Sequence, residues 1–243
     1  MPTIKNLVLD SKLAQATYTS NNRADSASVD GWQPLSVKLT DPLPPDSFGA
    51  QLYKGPNGQY KLAFRGTETN FADWAQNGIW LANQWSDEWG AAARFTAASI
   101  ALIAQLEDVP IEQAKQFLST TGHSQGGFLS ELSARLFGLS GSSLDGMGSN
   151  GIYSAFHSRI SNYITTEYGQ SVQALNYSLP NEVFTTRIYT GVGRLGVHSG
   201  DVSYARSAKI QIGLALVTTI FGAAVIFGSG LSNHPIGGIV AKA

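Results

Sequence analysis

A serine in a glycine-flanked pentapeptide is the feature of this sequence best suited to chemistry. Residues 121–127 read Thr-Gly-His-Ser-Gln-Gly-Gly, which places Ser124 in a Gly-x-Ser-x-Gly motif. Such a motif forms a sharp turn between a strand and a helix, and the turn exposes the serine hydroxyl beside a backbone N–H. The pattern therefore predicts that Ser124 is a nucleophile and that a backbone N–H next to it binds a developing oxyanion.

The segments on both sides of the motif have the patterns that this turn requires. Residues 117–121 form a short run with β-branched residues, which predicts a buried strand. Apolar residues recur at helical spacing over 128–136, and Gly138 is expected to end that helix. Gly126 and Gly127 carry no side chain, so the helix can pass close to the strand.

The rest of the chain predicts strands that alternate with helices. Such alternation is typical of an α/β fold with a mainly parallel sheet, and no linker divides the single domain expected over 1–243. The predicted elements are a helix at 7–18, a hairpin of 50–53 with 60–64 turning near Asn57-Gly58, a helix at 91–107 with Pro110 beyond its end, a Gly/Ser-rich loop at 138–151, a helix at 152–169 and a strand at 172–179.

Composition excludes several functional classes. The 243 residues carry a net charge of −1 with no basic cluster, so we expect no nucleic-acid partner. The absence of cysteine excludes disulfides, zinc–thiolate sites and a cysteine nucleophile. No calcium-loop or zinc-ligand spacing is present, and we expect neither a metal nor a cofactor. The N-terminal residues lack the pattern of a cleavable signal peptide, so we expect a cytoplasmic protein or export by another route.

A second motif lies at the end of the hairpin. Phe64-Arg65-Gly66-Thr67 is followed about 55 residues later by Thr-Gly-His-Ser-x-Gly-Gly. This pair of motifs resembles the class 3 (fungal-type) lipases and related bacterial and plant phospholipases of the A type. The resemblance implies an α/β-hydrolase fold, with Thr67 as one oxyanion donor and the backbone N–H of Gln125 as the second. Members of that family usually have an apolar residue where this chain has Gln125, but the donor is a backbone group.

A serine nucleophile needs a base and an orienting acid, and this fold expects the order serine, acid, histidine. Of the four histidines, His123 adjoins the serine and is expected to point away, and His157 lies in a predicted helix before any acid candidate. His198 and His234 remain. His234, in Asn-His-Pro-Ile-Gly-Gly-Ile, resembles the late catalytic histidine of the family, and we favour it over His198.

Two carboxylates compete for the role of acid. Glu182, in Leu-Pro-Asn-Glu-Val-Phe, resembles the Asn-Asp-Ile-Val stretch of the family, although the residue here is Glu instead of Asp. Asp201, in Ser-Gly-Asp-Val-Ser, is the alternative. We favour Glu182. Asp145, in the loop after the next expected strand position, is interpreted as structural.

Two apolar regions bear on the substrate. Residues 70–90 hold Trp74, Trp80, Trp85 and a fourth tryptophan, at the place where class 3 lipases have a lid. We expect a lid or a cleft wall there, although some of these rings are expected to pack a helix on the sheet. Residues 210–233 contain no charged side chain. Because they lie between acid and base, we do not expect a membrane span. We expect either a buried helical segment or strand, or an apolar hairpin that lines an acyl pocket or touches lipid.

Together these observations predict a serine carboxylester hydrolase that acts on lipid-like esters. A phospholipase of the A type would use the same residues, and a membrane-associating module that has lost catalysis is a third hypothesis.

Overall fold

The fold was analysed in a computed structural model that describes residues 4–19, 27–39, 48–66, 86–168, 184–188, 193 and 196–204. The described helices are α1 (Ile4–Ala16), α2 (Asp87–Glu107), α3 (Ile111–Ala114), α4 (Gln125–Phe137) and α5 (Asn150–Tyr168). The strands are β1 (Gln33–Leu35), β2 (Ala50–Lys54), β3 (Tyr60–Phe64), β4 (Leu118–His123), β5 (Ser140–Leu144), β6 (Phe184–Ile188) and β7 (Asp201–Tyr204).

The seven strands form one sheet in which the spatial order is the order along the chain. The first three strands are antiparallel, and every pair from β3 to β7 is parallel. The prediction of an α/β fold with a mainly parallel sheet is confirmed. Because the carboxyl ends of parallel strands lie at one edge, the residues that follow β3, β4, β5 and β6 come together there.

Alternation along β4 shows which helix covers which face of the sheet. The hydroxyl of Thr120 donates to the carbonyl of Ser130 in α4, at 3.1 Å. The hydroxyl of Thr121 lies 3.0 Å from the Ser142 hydroxyl, which in turn donates to Asp10 of α1 at 2.7 Å. Neighbouring residues of a strand point to opposite faces, so α1 and α4 cover opposite faces.

The connections between the parallel strands place the remaining helices. Each connection from β3 to β6 leads to the adjacent strand, always in the same direction across the sheet. Because such crossovers are right-handed, the helices in them, α2, α4 and α5, lie on the same face. These three helices pack against one another, and the main apolar core lies between them and the sheet. A smaller cluster, with Leu13 of α1 and Tyr53 and Ala63 of the hairpin, lies on the other face. The result is a three-layer α/β arrangement.

Most elements predicted around the motif are confirmed. The hairpin pairs β2 with β3 as expected, and Gly58 in its turn has φ +70°. The helix predicted at 91–107 begins earlier, at Asp87, because the hydroxyl of Ser86 caps its amino end by accepting the Glu88 N–H at 3.3 Å. Helix α4 ends as predicted at Gly138, which has φ 66°.

The prediction of a loop over 138–151 is wrong. Residues Ser140–Leu144 form β5, which pairs with β4 on one side and β6 on the other. Its sequence, Ser-Gly-Ser-Ser-Leu, has almost no strand propensity, and pairing on both sides together with burial decides its conformation. The strand predicted at 172–179 lies outside the described residues. None of the described helices is long and apolar enough to cross a membrane.

Candidate active site

Ser124 occupies a strained turn between β4 and α4. It has φ 59° and ψ −123°, a conformation that residues other than glycine rarely adopt, and it is 5% exposed. Its N–H donates to the carbonyl of Leu144 at 3.0 Å, and its carbonyl accepts the N–H of Phe128 at 3.2 Å. The turn is therefore held by the neighbouring strand and by the first turn of the helix. Strain of this kind persists only where the surrounding structure holds the residue in place, and it clusters at functional sites.

The two glycines of the pentapeptide are required by close backbone contacts. A Cβ on Gly122 would lie 2.8 Å from the backbone nitrogen of Gly127. A Cβ on Gly126 would lie 2.8 Å from the carbonyl carbon of Phe64 and 2.9 Å from that of Arg65. Any side chain at either position would push α4 away from the strands. Glycine is thus required two positions before and two positions after Ser124, because α4 crosses the strands too closely there for a side chain.

The same close contact brings the end of β3 to the serine turn. Gly66, two residues past β3, lies beside the backbone of His123, because a Cβ there would be 2.8 Å from the His123 carbonyl oxygen. Thr67, the oxyanion residue that the resemblance implies, is the next residue in the chain and lies outside the described residues.

Gln125 is the first residue of α4 and is 4% exposed. The first N–H groups of a helix have no acceptor within the helix, and the positive end of the helix dipole there favours negative charge. The Gln125 side chain is turned to α2, where its amide donates a short hydrogen bond to the Glu88 carboxylate. The side chain thus ties the serine turn to the amino end of α2.

The first two histidines lie where the sequence predicts. His123 is buried, and its Nδ1 lies 3.4 Å from the Tyr18 hydroxyl, at the carboxyl end of α1. The side chain therefore lies on the α1 face of the sheet, as expected of a residue that points away. His157 is exposed on α5, with its Nδ1 3.1 Å from the Tyr153 carbonyl oxygen. His234 lies outside the described residues.

His198, the alternative base, is engaged by other groups. Its Nδ1 lies 2.9 Å from a carboxylate oxygen of Glu131, and its Nε2 lies 2.6 Å from the carbonyl oxygen of Gly193. Burial opposes the charged form, but the hydrogen bond and charge of Glu131, the Gly193 carbonyl and the charge of Asp145 outweigh it and raise the pKa of His198. The structure therefore ties His198 to Glu131 and Gly193.

Glu131 is the centre of this second cluster, on α4. Its side chain is fully buried. Besides His198, its carboxylate accepts the Ser149 N–H at 3.1 Å, the Ser149 hydroxyl at 2.9 Å and the Ser199 N–H at 2.9 Å. One buried carboxylate thus joins α4 to the loop after β5 and to the loop before β7. Sequence reasoning did not single out Glu131, because a Glu in an amphipathic helix is ordinarily solvated.

The carboxylates proposed as acid are placed differently. Asp201 is exposed and begins β7, three strands from β4. Glu182 lies outside the described residues, and β6 begins two positions after it, at Phe184. Asp145, in contrast, directly follows β5 and is fully buried, with φ 53°.

Of the four tryptophans expected at a lid or cleft wall, one lies within the described residues. Trp89 is fully buried and packs on Phe128 of α4 and Phe156 of α5, with ring centroids 6.1 Å and 5.5 Å away. It is a core residue. Trp74, Trp80, Trp85 and the apolar segment 210–233 lie outside the described residues. Within the described ranges, no group of three His, Asp or Glu side chains could hold a metal ion.

Comparison with known proteins gives similarity in structure but none in sequence. No family model matches the chain, and no curated protein matches it. Among solved structures, the fold is similar to a triacylglycerol lipase from Penicillium expansum, with 14% identity and a TM-score of 0.47. The similarity covers 83% of this chain and 79% of the lipase chain.

Proposed function

We propose that this protein is a carboxylic ester hydrolase that uses Ser124 as its nucleophile. The single observation that carries the proposal is the strained conformation of Ser124, with φ 59°, between a parallel strand and a helix. Such strain costs on the order of 1–3 kcal/mol and clusters at functional sites, which supports a functional role for Ser124. The strain presents the hydroxyl at the carboxyl edge of the sheet, where α/β proteins bind their ligands.

The proposed mechanism is acyl transfer through the serine. Ser124 attacks the ester carbonyl while His234 takes its proton and later passes it to the leaving alcohol. The N–H of Gln125, at the positive end of the α4 dipole, and Thr67 stabilise the oxyanion of the tetrahedral intermediate. Water then hydrolyses the acyl-enzyme with the same base. Glu182 and Asp201 are the acids proposed from sequence.

We further propose that the substrate is a lipid-like ester with an apolar acyl chain. The sequence supports this through Trp74, Trp80, Trp85 and the uncharged segment 210–233, which suit transient contact with a lipid interface. A phospholipase of the A type would use the same machinery. Parallel assays on a triglyceride emulsion and on phosphatidylcholine vesicles separate the two, because only the contacts of the cleft differ.

Turnover of a short-chain nitrophenyl ester tests the reaction class. Wild-type protein should hydrolyse it, and Ser124→Ala and His234→Ala should each lower kcat by about 10⁶-fold, as removal of a nucleophile or base does in serine hydrolases. Both variants should unfold at the wild-type temperature. A folded wild-type protein without turnover would contradict the enzyme hypothesis and favour the membrane-associating module.

A further inference from the structure

The first turn of α4 is fixed on its sheet side by backbone contacts. The Ser124 N–H donates to the carbonyl of Leu144, at the end of β5, at 3.0 Å. Gly126 lies against the end of β3, because a Cβ there would be 2.8 Å from the carbonyl carbon of Phe64. These contacts set how far α4 stands from the strands. Gln125, between Ser124 and Gly126 in the chain, contacts a different neighbour.

The Gln125 side chain reaches the neighbouring helix. Its amide donates a short hydrogen bond to the Glu88 carboxylate, at the amino end of α2. Gln125 is only 4% exposed, and a buried amide is almost always hydrogen-bonded, so this contact satisfies a polar group whose burial would otherwise be costly. The acceptor is a carboxylate, and hydrogen bonds to charged groups are shorter and stronger than those between neutral groups.

Glu88 is itself held firmly at the start of α2. Its N–H donates at 3.3 Å to the hydroxyl of Ser86, which caps the helix. The next residue, Trp89, is fully buried and packs on Phe128 in the first turn of α4, with ring centroids 6.1 Å apart. The helix dipole also stabilises a negative charge in the first turn of a helix. The carboxylate that accepts the Gln125 amide is therefore a fixed group on a capped and packed helix end.

This contact bears on the reaction because Gln125 is also the proposed oxyanion donor. Its backbone N–H lies at the amino end of α4, where the first N–H groups have no acceptor within the helix. A donor that stabilises a transition state must be held within about 0.5 Å of its productive position, and hydrogen bonds from neighbouring residues supply that precision. A side chain anchored to α2 limits how far the peptide that bears it can rotate or shift.

We propose that Glu88 is a positioning residue of the oxyanion site. Its carboxylate holds the Gln125 amide and thereby keeps the Gln125 N–H directed at the oxyanion of the tetrahedral intermediate. The inference rests on the proposed function, in which Ser124 is the nucleophile. Glu88 acts through Gln125 and touches neither the substrate nor the reacting atoms.

Substitution of Glu88 in the full chain tests the proposal, with the nitrophenyl ester as substrate. We expect Glu88→Ala to lower kcat by about 10- to 100-fold, which is less than the loss of a whole oxyanion donor costs. KM should change by less than about threefold, because the N–H acts in the transition state. Glu88→Gln keeps an oxygen acceptor and should retain kcat within about fivefold. A loss of less than about tenfold in Glu88→Ala, or an equal loss in Glu88→Gln, would overturn the proposal.

Glu107→Ala is the matched control, because Glu107 is the carboxylate at the other end of α2. It bonds to the Lys54 ammonium at 2.9 Å and accepts the Tyr60 hydroxyl. At about 1.5 Å per residue, it lies about 28 Å from Glu88 along the helix. Its loss should lower Tm but leave kcat within about twofold, measured well below the unfolding temperature. An equal loss of kcat in Glu107→Ala would mean that Glu88→Ala acts by weakening α2 in general, and would contradict the proposal.

The double variant Glu88→Ala/Gln125→Ala separates positioning from two independent roles. Each single change removes the same contact, and Gln125→Ala keeps the backbone N–H. The two single losses in kcat should therefore be similar, and the double loss should be no more than about twice the greater single one. A larger double loss would contradict the proposal. Gln125→Ala also tests the contact if Glu88→Ala does not fold. Failure of the proposed function is distinct, because wild-type protein would then lack Ser124-dependent turnover.

Discussion

The buried pair of His198 and Glu131 should make the stability of this protein depend on pH. Both ring nitrogens of His198 face oxygen acceptors, at 2.9 Å and 2.6 Å, and only the imidazolium can donate from both. The hydrogen bonds and charges around it raise its pKa above 6.5 in the folded state. The His198–Glu131 pair therefore contributes its full stabilisation below about pH 6.5, the pKa of histidine in the unfolded chain. This stabilisation is lost as the pH rises through the pKa of His198 in the folded state.

The magnitude follows from what His198→Phe would leave behind. The ring volume is similar, but the buried Glu131 carboxylate would lose its cationic partner and keep the three donors from Ser149 and Ser199. Breaking a buried pair costs about 3–5 kcal/mol, and the remaining donors favour the lower end, about 3 kcal/mol. For a chain of this size, each kcal/mol shifts Tm by about 2–4 °C. We expect Tm at pH 6 to fall by about 6–12 °C.

Thermal unfolding followed by circular dichroism from pH 6 to pH 9 is the assay. The difference in Tm between wild type and His198→Phe should shrink to about 2–4 °C once His198 is neutral, since one ordinary hydrogen bond of about 1 kcal/mol then remains. His157→Phe is the matched control, because His157 is exposed and should change stability by less than about 0.5 kcal/mol at any pH. A Tm difference for His198→Phe that is the same at pH 6 and pH 9 would refute the reasoning.

Two more predictions concern the buried ion pair between α1 and β3 and the close contact of Gly126 with β3. Asp10→Asn should lower the free energy of unfolding by about 3 kcal/mol, because the Lys61 ammonium 2.7 Å away is only 14% exposed. The control Asp30→Asn breaks an exposed pair of the same length with Lys12 and should lower it by less than about 1 kcal/mol. Urea titrations measure both changes. Gly126→Ala should lower kcat by about 100-fold, because its Cβ meets backbone atoms of β3 and displaces the turn by a fraction of an ångström or more. The control Gly58→Ala, where a Cβ meets nothing within 4 Å, should cost about 1–2 kcal/mol through its φ of +70° and leave kcat unchanged. Equal losses from the two aspartate variants, or full activity of Gly126→Ala, would contradict these contacts.

The sequence predicts the elements that local pattern controls. The motif around Ser124, its strand, its helix and the hairpin before it all have short-range signals, and the structure places them as expected. Strand β5 has no such signal, since four of its five residues are Ser or Gly; it is a strand because it lies between β4 and β6. Strand propensity cannot predict an element whose conformation is decided by neighbours distant in sequence.

The same limit applies to the candidate site. A serine in a motif can be proposed as the nucleophile from sequence, but the acid of a triad depends on which strand ends lie side by side. Asp145 is interpreted from sequence as structural although it follows the next expected strand position, because the sequence does not show which strand ends are neighbours. With β5 in the sheet, the residue that follows it is the neighbour of Ser124. The roles of Thr67, His234 and Glu182, which lie outside the described residues, stay predictions.

Covalent labelling tests the central claim, an activated Ser124, most directly. Wild-type protein and Ser124→Ala are incubated with a fluorophosphonate, and adducts are counted by intact mass. The account predicts one adduct on the wild-type protein and none on Ser124→Ala, because only a serine with a base and an oxyanion site reacts rapidly with this reagent. A folded wild-type protein that gains no adduct, or an adduct that persists in Ser124→Ala, would contradict it.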